Sequence, residues 1–172
     1  MRVIIHDLTP TELGELNLSP SGENESTDTA FVSDDGTIRN CIGCFGCWVK
    51  TPGTCVLKDG YHEMGKLLSQ CDEMVIISKC MYGSFTPFIR NVLDRCIPYL
   101  LPYFTKVWGE THHRDRYPNR MSFTAHFYGE DITAEEVETA KALLIANGEN
   151  FYSIKNETRF HKNLAALKEA LQ

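Results

Sequence analysis

The stretch Asp72-Glu73-Met74-Val75-Ile76-Ile77-Ser78, running on through Lys79-Cys80-Met81-Tyr82-Gly83-Ser84 to Thr86-Pro87, decides the fold. Met74 to Ser78 is an almost unbroken apolar run, which suits a parallel strand covered on both faces rather than one with a wet side. The polar, glycine-bearing segment after it reads as a loop. Thr86 and Pro87 then open a helix, where proline is tolerated in the first turn. Phe88, Val92, Leu93 and Cys96 give that helix its inner face. Downstream the pattern repeats. Met121 to Tyr128 alternates as a fourth strand ending at Gly129, and Thr133-Ala134-Glu135-Glu136 has the form of a capping box. A helix continues through Val137, Ala140 and Leu144 to about Asn147-Gly148. Phe151 to Ile154 is expected as strand five, and Leu164, Leu167 and Leu171 mark a closing amphipathic helix. Pro98 to Phe104, aromatic and broken by proline, reads as a hinge into a surface segment.

Upstream, Met1 to His6 is a short buried strand stopped by Asp7, and Thr29 to Ser33 is a second strand before an Asp35-Gly36 turn. Gly60 to Cys71 carries Met64, Leu67 and Leu68 at helical spacing. Gly14 to Thr27 is too polar and broken for a full first helix, though Thr9 and Thr11 can cap a short turn and supply hydroxyls. The alternation of strand and helix implies one α/β domain over 1–172, a doubly wound five-stranded parallel sheet with its first helix shortened or absent.

The 172 residues suffice to bury roughly two-thirds of the unfolded surface. With a net charge of −6, the chain has no general attraction for nucleic acid or anionic membrane, and neither is expected as a partner. Val3-Ile4-Ile5 is too short for a signal peptide or a span. Seven cysteines without an export signal point to thiols in a reducing cytoplasm. His112-His113-Arg114-Asp115-Arg116 is expected as a solvated loop, and adjacent histidines in extended chain point apart, so they do not share one ion. No Walker-type loop, G-x-G-x-x-G or serine triad is present.

Four of the cysteines fall between Cys41 and Cys55, spaced C-x2-C-x2-C-x7-C. Gly43 and Gly46 allow the sharp turns that let Cys41, Cys44 and Cys47 converge, and Pro52-Gly53 turns Cys55 back toward them. Unmetallated thiols packing a glycine-rich loop are the reading favoured by the residues alone, so no metal is assigned. The tight run also suits an iron–sulfur arrangement on Cys41, Cys44, Cys47 and Cys55, and suits it better than the paired knuckles of structural zinc.

The cysteine run, Gly53-Thr54-Cys55, Asp59, the apolar strand from Asp72, Tyr82-Gly83-Ser84 and Asn91-Val92-Leu93-Asp94-Arg95 together resemble the flavodoxin-like NAD(P)H-dependent FMN reductases. The compact four-cysteine form is similar to the iron–sulfur flavoproteins of that superfamily. The similarity is concentrated in about residues 39 to 100. It implies a flavodoxin-like strand order, FMN at the strand ends, NAD(P)H as electron donor, a small-molecule electron acceptor, a homodimer, and in the four-cysteine variants a [4Fe-4S] cluster. The FMN-binding residues it points to are Thr9, Thr11, Cys41, Cys44, Lys79, Cys80, Met81, Tyr82 and Gly83. Met81 and Tyr82 would wall the ring, the amides around Gly83 would face its edge, and Arg114 and Arg116 could reach a phosphate. Asp94-Arg95 reads as an ion pair at a helix end. The family's Gly-Ser-Pro phosphate loop is replaced here by Asp7-Leu8-Thr9-Pro10-Thr11. Two further readings stay open: a cysteine-ligated electron-transfer flavoprotein, and a domain that kept the fold but lost the flavin.

Overall fold

A computed structural model describes residues 1–18, 28–107 and 109–171. Five parallel strands form its main sheet: β1 (Arg2–His6), β2 (Thr29–Val32), β3 (Glu73–Lys79), β6 (Ser122–Tyr128) and β7 (Lys155–His161). Their spatial order is β2-β1-β3-β6-β7. The step from β2 back to β1 and out through β3 is the switch of direction that defines a flavodoxin-like sheet. β3 is central, as its apolar run requires: Met74 to Ser78 are all buried, with Val3, Ile5, Phe123 and Ala125 beside them on the neighbouring strands.

The alternating side chains of these strands feed two cores. Val3, Ile5, Met74, Ile76, Phe123 and Phe127 pack under α3 (Met64–Leu68), α4 (Pro87–Arg95) and α5 (Ala134–Asn150). Ile4, Val75 and Ile77 face the other way, under Leu8 and Leu16 at the ends of α1 (Pro10–Glu15) and Leu167 of α6 (Leu164–Leu171). Two layers of helix on one parallel sheet explain why β1 and β3 have no polar face.

The first helix is as short as expected, six residues capped by Thr9. The rest of the Gly14-to-Thr27 stretch lies largely outside the described residues. The capping box at Thr133 is formed, with Thr133 Oγ1 accepting from the Glu136 amide and Glu136 accepting from the Thr133 amide. Four expectations are corrected. Helix in the Gly60-to-Cys71 segment is confined to Met64–Leu68, because the residues before it are held in turns by Asp59. Phe151 to Ile154 is a turn; Phe151 is buried against Phe123 and Tyr99, so its apolar character serves the core. The fifth strand is Lys155–His161, a polar edge strand paired only with β6. Pro98 to Phe104 and the His112-to-Arg116 run are neither hinge nor solvated loop. They belong to an antiparallel hairpin, β4 (Leu100–Val107) and β5 (Glu110–Asp115), with an irregularity between Leu100 and Phe104 that accommodates Pro102.

Candidate functional site

The cysteine loop is built from two left-handed residues and a buried ion pair. Gly43 has φ +62° and Phe45 has φ +56°, and the next residues form the single turn α2 (Gly46–Val49). Gly46 is required for packing rather than for its dihedrals: a Cβ there would come within 2.5 Å of Val56 Cγ1. Arg95, 1% exposed, clamps the loop at both ends. Its NH1 and NH2 donate to Asp59 at 2.7 and 2.8 Å, and it also donates to the carbonyls of Arg39 at 2.7 Å and Leu57 at 3.2 Å. Asp59 in turn accepts from the Arg39 and Tyr61 amides. Burial alone would raise the Asp59 carboxyl, but the guanidinium and these amides outweigh it and hold the group at about 2. The partner of Arg95 is therefore Asp59, across the loop, and not its neighbour Asp94.

All four motif cysteines line one cavity of about 90 Å³, together with Trp48, Leu57 and Arg95. Cys41 and Cys44 are exposed and Cys47 and Cys55 buried. Among the described residues no three of their sulfurs lie within 4.8 Å of one another. A single tetrahedral zinc with bonds of about 2.3 Å draws its sulfurs to under roughly 4 Å, closer than they stand here, so zinc would require the exposed Cys41 and Cys44 to swing inward. A polynuclear cluster spreads its ligands further and suits a four-thiol ring of this kind. Burial, and after it the neighbouring Cys55, Cys41 and Cys44, push the Cys47 thiol up to about 11. It is then protonated and unreactive at neutral pH unless a metal displaces the proton to solvent. Arg95 Nε is buried without a hydrogen-bond partner, and Cys55 is among the groups whose negative form favours the guanidinium's charge. A thiolate cluster beside it would be partly neutralised. The residues present fit such a group.

The hairpin forms one wall beside this loop. Trp48 donates from Nε1 to the Leu100 carbonyl at 2.9 Å, and its ring lies 4.9 Å from His113, which lies 4.6 Å from Phe104. Arg116 is held by the Pro98 and Leu100 carbonyls, so of the two arginines expected to reach a phosphate only Arg114 is exposed with its charge unengaged among the described residues. Cys71 and Cys96, the fully buried cysteines outside the motif, belong to the core.

At the carboxyl ends of the strands the expected residues divide. Thr9 does cap α1, but its hydroxyl and amide are both taken by Glu12: the amide and Oγ1 each lie 2.7 Å from Glu12 Oε2. A carboxylate thus occupies the donors that a phosphate would need. Asp7 adds a second negative group, accepting from the Lys79 amide at 2.9 Å, from Ser78 Oγ and from Tyr128 Oη. The turn between β1 and α1 does not fit a flavin phosphate, and Thr11 beside it is exposed. Lys79 and Cys80 line a cavity of about 540 Å³ with Glu12, Tyr128 and Lys162. Met81 and Ser84 exchange two backbone hydrogen bonds around Tyr82 and Gly83, both at positive φ, which makes this a tight turn with Tyr82 projecting into solvent. Gly83 faces α5: a Cβ would lie 2.7 Å from Thr139 Cβ and 2.8 Å from the Glu136 carbonyl. The glycine is thus a structural requirement of the turn against α5. A separate open cleft of about 570 Å³ joins Cys41 and Asn40 to Ser84, Phe85, Arg90 and Asn91, bringing the cysteine loop and the Tyr82 turn to one surface. Arg90 is the participant that sequence reasoning missed, and for Arg95 it found the ion pair but not the partner, Asp59. Arg90 lies off the apolar face of α4, and the helical spacing gives no sign of what faces it.

No family model matches the chain. Over 62 residues, 36% of this chain and 27% of the other, it is 32% identical to an iron-sulfur flavoprotein of Archaeoglobus fulgidus. Over 75 residues, 43% of this chain and 38% of the other, it is 29% identical to an iron-sulfur flavoprotein of Methanocaldococcus jannaschii. The chain has a flavodoxin-like fold and is similar, over part of its length, to two iron–sulfur flavoproteins. Each match spans well under half the length of the relative concerned. Among solved structures, the azoreductase AzrA superposes with a TM-score of 0.54 at 12% identity, covering 99% of this chain and 93% of that one. General stress protein 14 of Treponema denticola, in complex with FMN, gives 0.49 at 11% identity over 99% of each chain. Likeness at these identities concerns the fold.

Proposed function

We propose that the chain is an electron-transferring oxidoreductase whose cysteine loop holds an iron–sulfur cluster through Cys41, Cys44, Cys47 and Cys55. This takes up the four-cysteine alternative in preference to unmetallated thiols. The observation that carries it is the convergence of four thiols on one cavity, no three of whose sulfurs lie within 4.8 Å of one another, with a buried guanidinium alongside. When bound, such a group supplies one-electron transfer. The chain's own residues position it: Arg95 and Asp59 fix the two ends of the loop, Trp48 and the hairpin shield one side, and the exposed Cys41 and Cys44 leave the other side open to a partner in electron exchange.

The flavin for which the relatives are named comes to this chain as the second redox group of the proposal, with NAD(P)H as donor and a small molecule as acceptor. The β1–α1 turn does not hold its phosphate. The cleft shared by Cys41, Ser84, Phe85 and Arg90 offers space beside the cysteine loop and one cation for a phosphate. The homodimer implied by the resemblance belongs to the same proposal and is read by sedimentation.

The deciding experiment is purification without oxygen, followed by an absorption spectrum and assays for iron, acid-labile sulfide and acid-released flavin. Iron and sulfide in equal amounts near cluster stoichiometry, lost on Cys44→Ser, are expected. Iron and sulfide at background in protein never exposed to oxygen would refute the cluster. FMN and riboflavin binding with equal affinity in the wild type would refute a phosphate contact from Arg90.

A further inference from the structure

The hairpin and the last turn of α5 bring together three side chains that the redox reading does not use. The reactive atoms of Glu110, His112 and Glu149 all lie within 4.8 Å of one another. His112 is 8% exposed, whereas Glu110 sits at the rim. The orientation of the histidine ring is set by its neighbours. Asn150 donates from Nδ2 to the Ala146 carbonyl at 3.1 Å, which fixes the orientation of its amide. Its Oδ1 therefore faces His112 Nδ1 at 3.1 Å, and Nδ1 must carry the hydrogen. The other nitrogen, Nε2, is thereby left facing Glu110 Oε2 at 3.3 Å and the Glu149 carboxylate. Two carboxylates gathered around one imidazole nitrogen call for a positive charge among them, which a proton on Nε2 supplies and which a metal ion in the proton's place supplies equally.

We infer that Glu110, His112 and Glu149 form a binding site for a divalent first-row transition metal ion, bridging β5 to α5. The donor set of one imidazole and two carboxylates suits such an ion and is poor in the soft ligands that copper(I) prefers. The amide of Asn150 acts on the histidine as an outer-shell acceptor, fixing the tautomer that ligates. Bonds of about 2.1 Å to a tetrahedral ion bring its ligands roughly 3.5 Å apart, so closure needs only a small swing of the rim carboxylates. Three protein ligands leave a position for water. Strand alternation sends the neighbouring His113 to the opposite face, where its ring packs at a tilt against Trp48 beside the cysteine cavity. The ion would thus anchor the hairpin from behind while its front face supports the cysteine loop.

Co²⁺ is the probe, because its spectrum separates the two metal environments: thiolate ligation gives an intense near-ultraviolet charge-transfer band, and nitrogen–oxygen ligation gives only weak visible bands. Titration of the protein as purified is expected to show one Co²⁺ per chain with no thiolate band. Affinity should fall at least tenfold in Glu149→Gln and in Glu110→Gln, both of which keep side-chain size at sites not fully buried. Co²⁺ should also raise the wild-type melting temperature and leave that of the double variant unchanged. The inference is overturned if no such equivalent binds at millimolar Co²⁺. It is equally overturned if the double variant binds as the wild type does. Iron content, which reports on the cysteines, is expected to be the same in all three variants.

Discussion

Replacing Asp59 with asparagine tests the buried clamp under the cysteine loop. The side chain keeps its shape but loses its charge, and one of its oxygens becomes an NH2 group. Both oxygens are in use: Oδ2 accepts from Arg95 NH1 and the Arg39 amide, and Oδ1 accepts from Arg95 NH2 and the Tyr61 amide. Whichever way the amide turns, a donor faces donors. Arg95, 1% exposed, is left as a buried cation without a counter-charge. Breaking one side of such a pair costs about 3–5 kcal/mol, a large share of the ~5–15 kcal/mol that holds a domain together. At about 2–4 °C per kcal/mol for a chain of this size, the melting temperature at pH 7 should fall by roughly 6–20 °C. The double variant Asp59→Leu with Arg95→Met removes both charges and should recover much of the loss. Thermal unfolding followed by circular dichroism is the assay. An asparagine variant melting within about 2 °C of wild type would refute the reasoning, since the pair would then contribute no more than a surface salt bridge. The pH dependence runs in one direction. Because the folded carboxyl is held near 2, below the ordinary 3.8, its contribution is complete above about pH 4 and is lost as the pH falls toward 2.

The other expectations are more local. Gly83→Ala should destabilise by about 2–3 kcal/mol, combining a left-handed backbone with a clash on Thr139, and chemical denaturation would expose the error if the loss were under ~0.5 kcal/mol. Cys71→Ala and Cys96→Ala should leave iron content unchanged, because both side chains are buried in the core away from the four-cysteine cavity. Parallel loss of iron in folded Cys71→Ala would contradict that assignment. His126 and His161 stack 5.1 Å apart with ring nitrogens at 3.0 Å, and burial, followed by the neighbouring His161 and Arg159, lowers His126 to about 4. The unfolded chain therefore takes up a proton near 6.5 that the folded chain refuses until about 4, so stability should drop by up to ~1.4 kcal/mol per pH unit across that window. Urea unfolding at pH 7 and pH 5 checks this, and a His126→Phe variant with the same slope would assign the dependence elsewhere.

What the sequence discloses depends on how far apart the deciding residues are. β3 is legible because a central parallel strand needs nothing beyond its own apolar run. β7 is not, because an edge strand read as Lys-Asn-Glu-Thr-Arg-Phe-His carries no periodic signal, while Phe151 just before it does and belongs to the core. The hairpin escapes for a similar reason: β5 is polar throughout, and its place is set by His112 against Asn150 and His113 against Trp48, 38 and 65 residues away in the chain. Asp59 and Arg95 are 36 residues apart, and the adjacent Asp94 offers a simpler pairing that the fold does not use.

The loop after β1 was legible in a way that its family resemblance obscures. Thr9-Pro10-Thr11-Glu12 has the spacing of a capping box, as Thr133 to Glu136 does, and both boxes form. A capping box and a phosphate site compete for the same free amides at a helix start, because each satisfies N–H groups that the helix leaves without partners. Glutamate at the third helical position therefore brings its own anion to that end. Asp7 adds a second negative charge within hydrogen-bonding reach of the next two loops. An external phosphate would have to displace one carboxylate and approach another. The order of residues in the turn, read as capping chemistry, argues against phosphate there without recourse to any glycine that the turn lacks.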